Sequence, residues 1–168
     1  MFHGEFDSSL DNKGRVILPA RLRECVTEDL GQGFYCTISP DGCIELCMPS
    51  VWDRRVAALR TAPFAPAKAR RFQRTMSSQT ERNSMDKQGR LHLSPKLLQR
   101  AAIQKQVVIV GNFDVIEIWG AERWQEENAE ALTEYKNDAE QLFGNPAGGG
   151  APITGGGAPP AGPTQSAS

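Results

Sequence analysis

Two short stretches of the chain carry the same polar residues at the same spacing. The first is "DNKGRVILP", residues 11 to 19, and the second is "DKQGRLHLS", residues 86 to 94. Asp11, Gly14, Arg15 and Leu18 fall in register with Asp86, Gly89, Arg90 and Leu93 at an offset of 75 residues. Turn formation accounts for part of this pattern. An aspartate accepts a backbone N–H two residues on, and a glycine adopts positive φ without steric cost. It does not call for an arginine next, twice. A planar guanidinium on a short rigid ribbon suits bidentate bonding to a phosphate, or to O6 and N7 of guanine, and a two-stranded ribbon fits the major groove. Lys13 and Lys87 would add contacts to phosphates. They sit one place apart within their turns, because Gln88 stands at the register position of Lys13.

The plainer reading of one such motif is a tight hairpin with a surface Asp–Arg pair, a contribution of about 0–1 kcal/mol. Asp11 lies opposite Arg15 across the loop. It can brace the turn through backbone bonds or pair with the arginine. The two copies also differ: Ser94 stands at the register of Pro19, and His92 at that of Ile17. With Lys13, Gly14 and Arg15 consecutive, the first turn reads as the better DNA contact.

Catalytic chemistry finds little support. No histidine lies close to a plausible nucleophile, and no phosphate loop or dinucleotide fingerprint occurs. Asp11 and Asp86 each precede a turn glycine and have a basic neighbour, which favours an ionised structural role over general acid–base work. His92 reads as a packing or surface residue. Cys25, Cys36, Cys43 and Cys47 lack close metal-ligand spacing, and His3 and His92 are distant in sequence. They are expected to be reduced thiols packing as small apolar groups. No enzyme activity, cofactor, metal or small-molecule substrate is expected.

The elements around the motifs repeat as well. "GCIELCMPSVW" (42 to 52) resembles "DVIEIWGAERW" (114 to 124), aligning Ile44-Glu45-Leu46 with Ile116-Glu117-Ile118 and Trp52 with Trp124 at an offset of 72. A short length difference must intervene, most simply in the loop containing "GQG" (31 to 33). Two copies are too few for a solenoid and suggest a duplicated small module. In each copy an alternating stretch such as "GEFDSSL", with Phe6, Ser8 and Leu10 on one face, reads as a strand. The Asp–Gly turn follows, with glycine at the left-handed position of a hairpin loop, and "RVIL" is the returning strand. A short helix then opens near Pro19 or Pro95, followed by a strand–turn–strand. Ser50 is expected to cap the next helix, with Asp53 as its capping-box partner.

The pattern is therefore α+β: two tandem β-β-α-β-β modules over 5–51 and 80–123, joined by a basic helical linker over 52–79. That linker includes a helix in "APAKARRFQRTM" (65 to 76). An acidic helix runs over 121–143 with Gly144 as its stop. The Gly/Pro/Ala-rich tail, 144–168, has few apolar side chains to bury and is expected to be disordered.

Charge is polarised along the chain. The net charge is −1 over 168 residues, but Arg54 to Arg100 carries +10 and Asp114 to Glu140 carries −7. Such a chain presents different faces to different partners. No apolar run approaches the ~20 residues needed to cross a membrane. The opening "MFHGEFDSSL" lacks the apolar core of a signal peptide. A cytoplasmic location is expected.

The opening "MFHGEFDSSLDNKGRVILPARLRE", the paired motifs Asp11/Arg15 and Asp86/Arg90, and "VGNFDVIEIW" followed by Trp124 closely resemble the MraZ family of bacterial transcriptional regulators. The resemblance covers about residues 1 to 143. It implies two swapped-hairpin modules of the SpoVT-AbrB type, forming a pseudo-symmetric unit within one chain. It also implies a homo-oligomeric ring, nucleoid-associated, that binds short G-rich direct repeats in double-stranded DNA. Those repeats lie upstream of its own operon, in the division and cell-wall gene cluster. On this reading Lys13, Arg15, Lys87 and Arg90 contact DNA, and Asp11, Gly14, Asp86 and Gly89 define the turns.

The competing class is an oligomeric interaction or scaffold protein, an antitoxin-like AbrB relative acting mainly through a protein partner. The acidic helix is its supporting feature. RNA binding is less favoured, since no stacking aromatics sit beside the basic hairpin. Trp52 and Trp124, each early in the helix after a module, read as core residues. They could instead meet a neighbouring subunit, with the acidic helix facing that subunit's basic stretch in a ring-closing contact.

Overall fold

The structure is a computed structural model and describes residues 1–26, 33–63 and 66–144. Strand β1 (Phe2–Ser9) has Phe6 and Ser8 on its half-buried face and leads into buried Leu10. After the first turn come β2 (Arg15–Ile17), α1 (Ala20–Glu24), β3 (Phe34–Ile38), β4 (Ile44–Cys47), α2 (Pro49–Thr61) and α3 (Pro66–Ser78). The second copy supplies β5 (Glu81–Asn83), β6 (Arg90–His92), α4 (Pro95–Arg100), β7 (Gln106–Phe113), β8 (Val115–Gly120) and α5 (Ala121–Phe143). The α+β class and the repeated β-β-α-β-β order are as the sequence indicates.

The strand partners differ from the simplest hairpin reading. β1 does not pair along β2. It runs antiparallel to β7 over its whole length, and β2 pairs with β6. Only the turns close on themselves: the Asp11 N–H donates to the Arg15 carbonyl and the Asp86 N–H to the Arg90 carbonyl, both at 2.9 Å. The alternation of a strand decides which face is buried but does not name its neighbour. Exchange between copies covers Val16 and Leu91 with each other and gives β1 a partner of equal length.

The resulting sheets have a visible symmetry. One is six-stranded in the order β1-β7-β8-β4-β3-β5, and the other is the β2–β6 ribbon. Exchanging the two copies reads the first order backwards. The axis passes between β4 and β8, where Glu45 faces Glu117, and between β2 and β6, where Val16 faces Leu91. Each of these residues faces its own counterpart in the repeat. The two carboxylates are kept from mutual repulsion by separate partners. Glu45 pairs with Arg55, while Glu117 accepts from Asn112 Nδ2 at 2.7 Å and Trp119 Nε1 at 2.9 Å.

The core is shared in the same way. Val16, Leu18, Leu22 and Ile44 from one copy pack with Leu91, Leu93, Leu97 and Ile116 from the other, all essentially inaccessible to water. At about 25 cal/mol per Å² of apolar surface removed from water, this joint burial is the main force holding the copies together. Neither copy has a covered core of its own. A smaller cluster seats α2 through Val51 and Trp52, with Trp52 stacked on Tyr35 at 5.0 Å. Trp124 meets Trp119 at 5.5 Å. Both tryptophans therefore have packing partners within the chain.

Helix starts follow proline more than serine. α2 begins at Pro49 after Met48, with no side-chain cap. Ser50 is thus already inside the helix, and the Ser50–Asp53 capping box does not form. The missing N–H and fixed φ of Pro49 suit the first helical position and move the cap two residues earlier, from Ser50 to Met48. Ser94, by contrast, caps α4, accepting from the Leu97 N–H at 3.2 Å with Pro95 next. The helices after the modules anchor on the opposite copy. Arg54 of α2 bonds Asp114 at 2.5 Å, and Arg123 of α5 donates to the Asp41 carbonyl at 2.6 Å.

The first compact unit spans Met1–Asn128, and the described residues from Ala129 to Gly144 belong to a second. In that second unit α5 continues to Phe143 with Leu132, Tyr135, Leu142 and Phe143 exposed. Gly144, at φ +75°, ends the helix by donating to the Glu140 carbonyl at 3.0 Å. The length difference expected in the loop containing "GQG" (31 to 33) falls beside positions 27–32. Those positions, and the tail from 145 on, lie outside the described residues. Among the described residues no helix is long and apolar enough to cross a membrane. Cys36, Cys43 and Cys47 are buried as free thiols. Burial pushes Cys36 and Cys43 up to about 12 and Cys47 up to about 11, so all three stay protonated near neutrality.

Candidate nucleic-acid interface

The two turns are built alike, bond for bond. In the first, Asp11 Oδ1 accepts the N–H of Lys13 at 2.8 Å and of Arg15 at 3.0 Å. In the second, Asp86 Oδ1 accepts the N–H of Gln88 at 2.9 Å and of Arg90 at 3.0 Å. The other oxygen, Oδ2, accepts the arginine Nε at 2.7 Å in both. Arg15 Nη2 also reaches Asp11 Oδ2, at 2.6 Å. The sequence left open whether the aspartate braces the turn or holds the arginine. It does both, one oxygen for each task.

Gly14 and Gly89 sit at φ +69° and +76°, where a side chain is strained. They also link the copies. The Gly14 carbonyl accepts the Leu93 N–H at 2.9 Å, and the Gly89 carbonyl accepts the Leu18 N–H at 3.0 Å. The turn glycines therefore fix both the loop and its attachment to the opposite strand.

The aspartates are ionised at neutral pH. The Arg15 guanidinium hydrogen bond, with the Arg15 and Lys13 backbone N–H groups, outweighs desolvation and draws Asp11 down to about 2. For Asp86 the Arg90 backbone N–H is the largest influence, followed by desolvation in the opposing sense and the Arg90 side chain, and the net direction is again down. A persistently charged carboxylate holds the Nε edge of each guanidinium. Both arginine side chains remain partly exposed, at 28% and 30%, and a guanidinium has further N–H donors beyond the Nε so engaged.

The ribbon brings the turns together. Arg15 pairs across the ladder with His92, and Ile17 with Arg90. Side chains alternate along a strand, so these four share one face while Val16 and Leu91 point into the core. Burial agrees: Ile17 is 55% exposed and His92 is exposed, while Val16 and Leu91 are at 0%. Lys13 and Lys87 are exposed on the turns beyond the two ends of this face. The structure thus places Lys13, Arg15, Lys87 and Arg90 around one surface, although 75 residues separate the arginines.

Sequence comparison between the copies marked Ile17 and His92 only as departures from symmetry. Their shared face with the arginines depends on the β2–β6 pairing and was not visible in either segment alone. Among the described residues no group of three or more His, Cys, Asp and Glu side chains is placed to hold a metal.

The chain matches a family model described as "MraZ protein, putative antitoxin-like" twice, over residues 1–75 and 76–145. It is 41% identical over 143 residues to a protein of Heliobacterium modesticaldum named Transcriptional regulator MraZ, covering 85% of this chain and 97% of that one. A relative of the same name from Lactobacillus delbrueckii subsp. bulgaricus is 41% identical over 142 residues, 84% of this chain and 96% of the relative. Another from Moorella thermoacetica is 37% identical over 142 residues, with the same two coverages. Each half of the chain carries the family's match and one of the two aspartate-held arginines, and the chain belongs to the MraZ family.

Proposed function

We propose that the protein is a transcription regulator that binds double-stranded DNA through the outer face of the β2–β6 ribbon and its two turns. The observation that carries this reading is the matched pair of partly exposed arginines, each held at Nε by an aspartate, on a two-stranded ribbon of the kind that fits the major groove. Arg15 and Arg90 read guanine edges or phosphates, and Lys13 and Lys87 neutralise flanking phosphates. Asp11, Gly14, Asp86 and Gly89 set the geometry. The relatives' name, Transcriptional regulator MraZ, points the same way.

The finer reading is that the sites are short G-rich direct repeats upstream of the protein's own operon, in the division and cell-wall gene cluster. The working form is a ring-shaped homo-oligomer in the cytoplasm, associated with the nucleoid. One ribbon makes few contacts, whereas several on one ring meeting several repeats gain affinity through effective concentration. Footprinting of wild type and of Arg15→Ala/Arg90→Ala on the upstream region tests the reading. Protection of spaced repeats by wild type and its loss in a folded double variant are expected. Equal protection by both would overturn it. Light scattering showing a strict monomer at low and high salt would remove the ring.

One observation favours a second reading, a scaffold that acts through a protein partner. A cavity of about 760 Å³ lies between α2, α3 and β3, lined by Ile38, Trp52, Arg55, Leu59, Phe72 and Met76 among others. A gel shift on upstream DNA at physiological salt, with a scrambled duplex as control, separates the two readings.

A further inference from the structure

The repeat symmetry breaks at one place beside the turns. Arg23, near the end of α1, lies against the second turn. A Cβ on Gly89 would fall 2.7 Å from Arg23 Cδ, 2.8 Å from Nη1 and 2.9 Å from Nε. In the repeat the counterpart of Arg23 is Leu98 of α4, and Leu98 lies against the first turn in the same way, 3.5 Å from a Cβ placed on Gly14. One turn is therefore flanked by an apolar side chain and the other by a guanidinium from the opposite copy. The Arg23 Nε is buried and has no hydrogen-bond partner among the described residues. A buried donor without an acceptor is costly, and because the Arg23 side chain as a whole is only half-buried, its guanidinium can turn to meet an anion beside the turn and relieve that cost.

The turn lysines also differ in place. Lys13 stands directly before its glycine, whereas the second turn has Gln88 there and Lys87 one residue earlier. We infer that Arg23 is a further DNA-contacting residue, taking a phosphodiester oxygen beside the second turn, where Gln88 stands at the register position of Lys13. Each turn then meets the backbone with a different set of cations: Lys13 and Arg15 at one end, Lys87, Arg90 and Arg23 at the other. The contact is to phosphate, so it adds affinity without sequence preference.

This inference rests on the DNA-binding reading above, and the experiment separates the two. Full-length wild type, Arg23→Leu, Arg23→Lys and Arg23→Leu/Leu98→Arg are titrated with the upstream duplex and a scrambled duplex across a salt series, with thermal unfolding recorded for each. Leucine is the residue the chain itself uses against its other turn, so Arg23→Leu is expected to fold. Its affinity should fall for both duplexes alike, and the slope of log affinity against log salt should drop by about 1. Arg23→Lys should keep the slope. The exchange variant should recover it, by restoring a guanidinium at the other turn, and a gain of this kind does not arise from damage to the fold. If wild type prefers the upstream duplex and Arg23→Leu keeps the wild-type slope, the inference is wrong and the DNA-binding reading stands. If wild type binds neither duplex even at low salt, both fall. If Arg23→Leu does not fold, the lysine variant decides: a slope lowered as for a lost contact overturns the phosphate role.

Discussion

Val16 and Leu91 face each other in the β2–β6 ladder, each wholly buried and each the other's counterpart in the repeat. The ladder is short, yet it fixes where both arginines stand, because Arg15 and Arg90 are the next residues along the two strands. Packing at this point on the axis and the aim of the basic face are one structural fact.

Truncation there should cost stability first. Leu91→Ala removes a fully buried side chain and is expected to destabilise the fold by about 2–5 kcal/mol in denaturant unfolding. A loss below about 1 kcal/mol would mean that the ribbon is not packed as described.

Strand exchange predicts how the halves behave apart. A chain ending at residue 63 keeps β1 and β2 but lacks their partners β7 and β6. Neither 1–63 nor 66–144 alone should give the dispersed amide spectrum of a folded monomer. Mixed, they should form an equimolar complex on size exclusion and recover that dispersion. A well-folded monomeric half would contradict the shared core.

The aspartates should matter for discrimination more than for raw affinity. Arg15→Ala is expected to weaken specific binding by about 1–3 kcal/mol. Asp11→Asn keeps the guanidinium but loosens its Nε edge and removes a negative charge near the phosphates. It should lower the ratio of specific to nonspecific binding while nonspecific affinity holds or rises, as anisotropy with matched and scrambled duplexes would show. Unchanged discrimination would reduce Asp11 to a turn former.

The same pair sets an acid dependence. Asp11 is depressed from 3.8 to about 2, chiefly by the Arg15 guanidinium, and Asp86 shifts in the same direction. A depressed carboxylate contributes stability above its unfolded value and loses that contribution as pH falls through its folded one. Thermal midpoints of wild type should therefore decline between about pH 4 and about pH 2, and Asp11→Asn/Asp86→Asn should decline less over that interval. Carboxyl-carbon titration should place the Asp11 midpoint near the bottom of the window. A midpoint near 4 would show that the Arg15 bond does not persist in solution.

Ile17 offers a test of the face itself. It is exposed, so Ile17→Asp should alter stability by only about 0.5 kcal/mol. Its neighbour across the ladder is Arg90, and a carboxylate there should compete with DNA for that arginine. Binding should fall sharply with little change in melting temperature. Full binding by this variant would move the interface elsewhere.

Much of this was legible in the chain because turn chemistry is local. Asp11, Gly14 and Arg15 lie within one loop, and their counterparts repeat the pattern, so the turns, the α5 stop at Gly144 and the module order follow from nearby residues. Strand partners are not local. β1 alternates in the same way whether β2 or β7 lies beside it, and only a search for surfaces that cover one another decides between them. α2 starts two residues earlier than the Ser50 cap that the sequence suggests would place it, because Pro49 takes the first helical position. Arg23 carried no mark in sequence, since its neighbour Gly89 lies far along the chain and in the other copy.

The difference between Arg23 and Leu98 gives the unit a head and a tail. A dimer of identical subunits has ends that cannot be told apart, and it suits a palindrome. Here duplication within one chain kept the twofold scaffold and released its ends to diverge. On the DNA-binding reading proposed above, a reader of this kind would have polarity: it would lie on a duplex in one orientation, and successive copies would follow one another along a strand in the same direction.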